Sequence, residues 1–172
     1  DLRKVKATEI PAHDVLCAGF PCQPFSKAGE QLGTKCKLWG DLFSDHVLRV
    51  LRARRPTFLI MENVANLERH NGGQTWASMR QSLQGLGYDV DTKVLSPHRF
   101  GIPQIRERLF IVGSRIGLDH FEWSKESTDD LTISSVLEAN PPKARKLPKH
   151  VVECLDVWQD FITRAPRKQE LP

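Results

Sequence analysis

The sequence predicts an α/β fold, a mainly parallel sheet with an antiparallel pair at its edge. Three observations predict it. The apolar run His13 to Phe20, closed by Gly and Pro, is followed by a helical pattern and at once by a second apolar run, Thr57 to Met61. Strand, crossover helix, strand is the signature of a right-handed parallel βαβ unit. Two later strand patterns are joined without a helix, which favours antiparallel pairing.

The first run reads as a buried strand, with Cys17 a core thiol inside it. It opens into Pro21-Cys22-Gln23-Pro24-Phe25-Ser26, where two prolines forbid helix and stiffen a loop that presents Cys22. Phe43, Val47, Val50 and Leu51 recur at helical spacing after a possible cap at Asp41, and Arg54-Arg55-Pro56 supplies cations for the dipole and then a stop. The second strand ends in Glu62-Asn63. Asn71-Gly72-Gly73 turns the chain into a helix with Trp76, Met79, Leu83 and Leu86 on one face and Gly87 just past its end. Tyr88, Val90, Thr92 and Val94 then alternate with polar residues, and Arg108 to Val112 forms the last strand. Between them lies Ser96 to Glu107, a loop rich in Pro, Gly and Arg. Beyond Leu118 prolines punctuate one helix, Val151 to Ile162, and residues 117–172 read as a connector after a folded portion of residues 1–116.

Composition narrows the function. Of 172 residues, 40% are hydrophobic and 27% charged, ordinary for a globular protein, and no apolar run approaches the roughly 18 residues of a membrane span. With 25 basic against 21 acidic residues, a nucleic-acid partner is permitted; the basic side chains concentrate between Arg99 and Arg115 and in Lys143, Arg145, Lys146 and Lys149. The four cysteines show no CxxC pairing, so neither a zinc ribbon nor a disulfide scaffold is expected. His70 and His98 lack metal-like spacing, and no metal is expected. A reducing, cytoplasmic setting fits. No signal peptide is evident, and a first residue of Asp1 in place of Met reads as a chain cut from something longer.

Ligands of open parallel sheets sit at the carboxyl ends of the strands. Cys22 follows the first strand, Glu62-Asn63 closes the second, and Gln104, Arg106 and Arg108 stand where an antiparallel last strand begins, on that same side. A thiol, a carboxylic acid and arginines in one cleft suit covalent chemistry on a pyrimidine. The C5 carbon of cytosine is a poor nucleophile until a thiolate adds to C6; a protonated carboxyl near N3 and a cation at O2 stabilise the charge that develops. Taken alone, Cys22 is more often structural than catalytic, and the basic residues are as often a solvated face as a nucleic-acid contact. The combination reverses that balance.

Ala18 to Ser26, Glu62-Asn63-Val64 and Gln104-Ile105-Arg106-Glu107-Arg108 resemble three signature blocks of the bacterial C5-cytosine DNA methyltransferase family, in the family's order and at similar separations. The resemblance covers about residues 1–116. It implies a Rossmann-like class I S-adenosylmethionine-dependent methyltransferase fold, incomplete here, and double-stranded DNA as substrate with base flipping. Carried over residue by residue, it implies Cys22 as nucleophile, Glu62 at N3 and the exocyclic amine, Arg106 at O2, and Arg108 bracing the Cys22 loop and the acid. Asn63 would hold that loop, and Gln23, Ser26 and Gln104 would meet the nucleic acid. The methyl donor S-adenosyl-L-methionine would lie against Pro21, Leu42 and Asp1. A cognate restriction endonuclease encoded alongside, though not bound, and a bacterial, nucleoid-associated location are further implications.

Parts of the family pattern are missing. No glycine-rich turn follows a first strand, since Gly85-Leu86-Gly87 ends a helix, and a target-recognition domain has no room. The sequence therefore predicts weak binding of S-adenosylmethionine, no sequence preference on DNA, and a place for a complementary chain. Two other readings stay open: a tRNA cytosine C5-methyltransferase, and a non-catalytic subunit or remnant that only binds nucleic acid or a partner.

Overall fold

A computed structural model describes residues 2–21, 42–127 and 131–164. Asp1 to Ile133 and Ser134 to Pro172 form two compact units.

The first unit is built on four strands, β1 (Val15–Gly19), β2 (Phe58–Val64), β3 (Asp89–Leu95) and β4 (Arg108–Ser114), in the order β1-β2-β4-β3. β1 and β2 pair in parallel, while β4 inserts antiparallel between β2 and β3. The fold is thus the mixed sheet the sequence predicts, with β4 carrying the last strand on to Ser114.

The crossover from β1 enters a helix that opens with a π-type turn, Leu42–Val47, and continues as α1 (Leu48–Arg54). Arg55 ends it in the left-handed region at φ 49°, and its backbone N–H donates to the Leu51 carbonyl at 3.0 Å. Pro56 then prevents any resumption of the helix. Arg49 and Arg54 reach back to the carbonyls of Leu2 and Ala7, pinning the amino-terminal turns against α1.

Helix α2 (Gln74–Gln84) follows Asn71, Gly72 and Gly73, all at positive φ. Gly87, at φ 86°, lets the chain reverse so that the Tyr88 N–H meets the Leu83 carbonyl at 3.2 Å. The Tyr88 hydroxyl donates to the Pro56 carbonyl at 2.6 Å, tying the end of α2 to the start of β2.

Alternation along the strands gives the sheet two unlike faces. Leu59, Met61, Leu109, Ile111 and Val90 pack against Val47, Leu48, Leu51, Met79 and Leu83 of the helices. Gly113 belongs to this face, and a Cβ there would lie 2.8 Å from Leu59 Cγ. On the other face Val15, Phe58 and Ile60 remain 40–45% exposed beside a cleft of about 480 Å³ reaching Ile116 and Phe121. Cys17 is exposed on that face too, which corrects its expected core position. Among the described residues β1 has a strand neighbour on one side only, β2, and helix packing covers the face opposite to Cys17. An apolar run in sequence reports burial of both faces only where both are covered.

The segment after β4 returns along β3. Trp123 Nε1 donates to Asp91 at 2.8 Å, Glu126 lies 3.8 Å from Lys93 and 3.3 Å from Arg99, and the Ser127 N–H reaches the Arg99 carbonyl. In the second unit α3 (Lys149–Arg164) carries Lys149–Glu153 and Asp160–Arg164 ion pairs one turn apart, and Trp158 stacks on Phe161 at 5.4 Å.

Candidate functional site

The site assembles from strand ends. Parallel pairing sets Gly19 of β1 level with Glu62 of β2, and antiparallel pairing sets Val64 opposite Arg108. Glu62, Val64 and Arg108 therefore project from one face of the sheet. Glu62 Oε1 meets Arg108 Nε at 2.9 Å, and Arg108 Nη1 donates to the Glu107 carbonyl at 2.8 Å. Two directions of the guanidinium are thereby fixed. The pair is partly exposed, so its value for stability is small; its consequence is orientation of the acid.

A Cβ on Gly19 would stand 3.7 Å from Glu62 Oε2, so the end of β1 passes close to the carboxylate. Asn63, 1% exposed, points to the opposite face. Its Nδ2 donates to the Phe20 carbonyl at 3.1 Å and its Oδ1 accepts the Val64 N–H at 2.9 Å. Both ends of a buried amide are thus used, and the end of β2 is tied to the residue preceding Pro21.

Pro21 leaves the carboxyl end of β1, half-buried, and Leu42 opens the helix, packed against the core. Phe20 and Phe43, their neighbours in sequence, have ring centroids 5.9 Å apart. The Phe20–Phe43 contact thus brings the segments that carry Pro21 and Leu42 together. Cys22, Gln23, Ser26 and Asp1 lie outside the described residues.

The loop between β3 and β4 supplies the remaining candidates. Its backbone is knotted by the His98 N–H to the Gln104 carbonyl at 3.1 Å, Gln104 N–H to Ile102 at 2.7 Å, and Ile102 N–H to Pro97 at 3.2 Å. Gln104 and Arg106 are exposed. The Arg106 guanidinium holds no hydrogen bond or ion pair among the described residues, whereas its N–H donates to Ser96 Oγ at 2.9 Å. Glu62 and Arg108 are brought together, Asn63 backs them from the opposite face of the sheet, and Arg106 and Gln104 are exposed on the loop. A groove of about 510 Å³ beside them is bordered by Val64, Glu68, Arg69, Arg99 and Glu107. Sequence reasoning passed over Ser96. Its position before a proline, at the end of an alternating strand, is the signal that marks it as a turn-former.

Among the described residues no group of three or more His, Cys, Asp or Glu is placed to hold a metal ion, and no helix is long and apolar enough to cross a membrane.

A mixed sheet with an acid and an arginine paired at its carboxyl edge defines a class, and comparison with known proteins agrees: residues 1–168 match the C-5 cytosine-specific DNA methylase family. The chain belongs to that family. Its relatives include the type II methyltransferase M.MspI of Moraxella sp, 39% identical over 81% of this chain and 33% of the relative. M.NlaX of Neisseria lactamica is 40% identical over 95% of this chain and 50% of the relative. Among solved structures, the Entamoeba histolytica methyltransferase EhMeth superposes with a TM-score of 0.65 at 18% identity, over 88% of this chain and 48% of that one. The S. pombe Dnmt2 methyltransferase gives 0.60 at 18%, over 91% and 49%; both likenesses concern the fold alone. The chain spans about a third to a half of the length of these proteins.

Proposed function

We propose that this chain carries the catalytic residues of a DNA cytosine C5-methyltransferase, with Cys22 as the nucleophile. The observation that carries the reading is the Glu62–Arg108 pair at the carboxyl end of β2, level with the end of the strand that leads into Cys22.

The chemistry follows from what cytosine requires. The Cys22 thiolate adds to C6 of a cytosine turned out of the duplex. The electron pair displaced from the C5–C6 bond makes C5 nucleophilic, and Glu62 supplies the proton at N3 that accommodates it. O2 lies beside N3 on the ring, so the cation that stabilises it has to stand beside the acid. Arg108 already does so, at 2.9 Å from Glu62. That geometry favours Arg108 for the O2 contact over the Arg106 that the family resemblance suggests, and gives Arg106 the rim, facing DNA. After methylation, loss of the C5 proton to solvent, departure of the thiolate and return of the N3 proton to Glu62 restore the aromatic ring.

S-adenosyl-L-methionine, when bound, supplies the electrophilic methyl group. Pro21 and Leu42 fit one apolar wall of its site, since the Phe20–Phe43 contact brings their two segments together. Asn63 holds the approach to Cys22 by fixing the Phe20 carbonyl. Gln23, Ser26 and Gln104 face the nucleic acid. Asp1 is the weakest member of the cofactor set.

The test is a set of single-turnover methyl-transfer rates on a cytosine-containing duplex, measured with whatever flanking sequence the gene encodes. Cys22→Ser is expected to abolish transfer, and Glu62→Gln to slow it about a hundredfold or more. A Cys22→Ser protein with undiminished transfer would end the reading.

A further inference from the structure

We propose that Ser96 is a positioning residue for catalysis, holding the arginine segment 106–108 against Glu62. The inference rests on the functional reading above.

Ser96 follows the last residue of β3 and is 2% exposed. A buried hydroxyl needs partners for both its oxygen and its proton. The oxygen accepts the Arg106 N–H at 2.9 Å. His98 Nδ1 stands 2.9 Å from the same oxygen and takes the hydroxyl proton when the ring is in its Nε2–H form. The Ser96 carbonyl accepts the Arg99 N–H at 3.0 Å, so one residue fastens both the outgoing and the returning limb of the loop.

From there a continuous path leads to the acid. The peptide pinned at Arg106 is followed by the Glu107 carbonyl, which receives Arg108 Nη1 at 2.8 Å, and Arg108 Nε meets Glu62 at 2.9 Å. The guanidinium has one anchor on β2 and one on the loop. If the loop shifts, the loop anchor moves with it and Arg108 can no longer face both Glu62 and the base edge beside it. A displacement near 1 Å suffices to cost on the order of a hundredfold in rate. Ser96 touches neither substrate nor cofactor in this arrangement; it acts through Arg108.

A double-mutant cycle separates this from a merely structural role. Ser96→Ala is expected to lower the single-turnover rate about 10- to 100-fold while leaving DNA affinity within about twofold, and Ser96→Thr, which keeps a hydroxyl, is expected to restore most of the loss. In an Arg108→Ala background the serine change should alter the rate less than about twofold. Amide exchange in the folded Ser96→Ala chain should accelerate at Arg106 before it does in the core strands.

A serine effect of full size in the Arg108→Ala background, or a loss that merely follows a falling melting temperature, would overturn the inference while leaving Glu62 and Cys22 in their roles. An Arg108→Ala enzyme of normal rate would instead remove the cation from the functional reading, and the inference with it.

Discussion

At the scale of single residues, two buried polar side chains fix the approach to the site from opposite strands. Asn63 ties β2 to Phe20, and Ser96 ties the end of β3 to Arg106. Asn63→Ala removes the hydrogen bond that its Nδ2 donates to the Phe20 carbonyl, and about 1–3 kcal/mol of stability should be lost in denaturant unfolding. An unchanged midpoint would show that the tie is dispensable. Tyr88 gives a pH signature: burial pushes its hydroxyl above the ordinary tyrosine value of 10.0, partly offset by the nearby Arg115 and Arg55. A folded-state value raised above the unfolded one means that the stabilisation is fully present below about pH 10 and is lost as pH rises through the folded value. Tyr88→Phe, which also loses the hydrogen bond to Pro56, should therefore unfold about 1 kcal/mol more easily at neutral pH. Its stability should also fall less steeply than the wild type's in alkaline denaturation.

At the scale of elements, the contact between β2 and β4 brings the acid and the arginine together, and its close fit is centred on Gly113. A methyl group there meets Leu59 at 2.8 Å. Gly113→Ala is expected to cost about 1–3 kcal/mol by overpacking, read as a lowered melting temperature; a neutral substitution would mean that Leu59 yields freely. Most elements were legible in sequence because each carries its own period or stop. Gly87 ends the second helix region and Arg54-Arg55-Pro56 the first, as expected. The insertion of β4 between β2 and β3 was legible only as an antiparallel pair, since strand order depends on distant partners. The π-type opening at Leu42–Val47 escaped because it shares its apolar spacing with an ordinary helix. Cys17 was misjudged because a strand's own residues do not say which face is covered.

At the scale of the whole molecule, family membership was readable from three short blocks at the right separations, and the fold brings two of them, around Glu62 and Arg108, into contact. Ser96 was not readable as part of the site, since its effect passes through backbone contacts that appear only when the loop is folded. The exposed Val15, Phe58 and Ile60 face bears on the isolated chain. That chain should bind hydrophobic dyes while folded. It should also bind S-adenosylmethionine more weakly than micromolar, a point calorimetry can decide. The central claim, that Cys22 attacks cytosine C6, is tested most directly by incubating the protein and S-adenosylmethionine with a duplex carrying 5-fluorocytosine. Fluorine at C5 cannot leave as a proton does, so the thioether persists. Peptide mass spectrometry is expected to find the methylated fluorocytosine nucleotide attached at Cys22, and no adduct in Cys22→Ser. An adduct at another cysteine, or active methyl transfer with no adduct at all, would contradict the account.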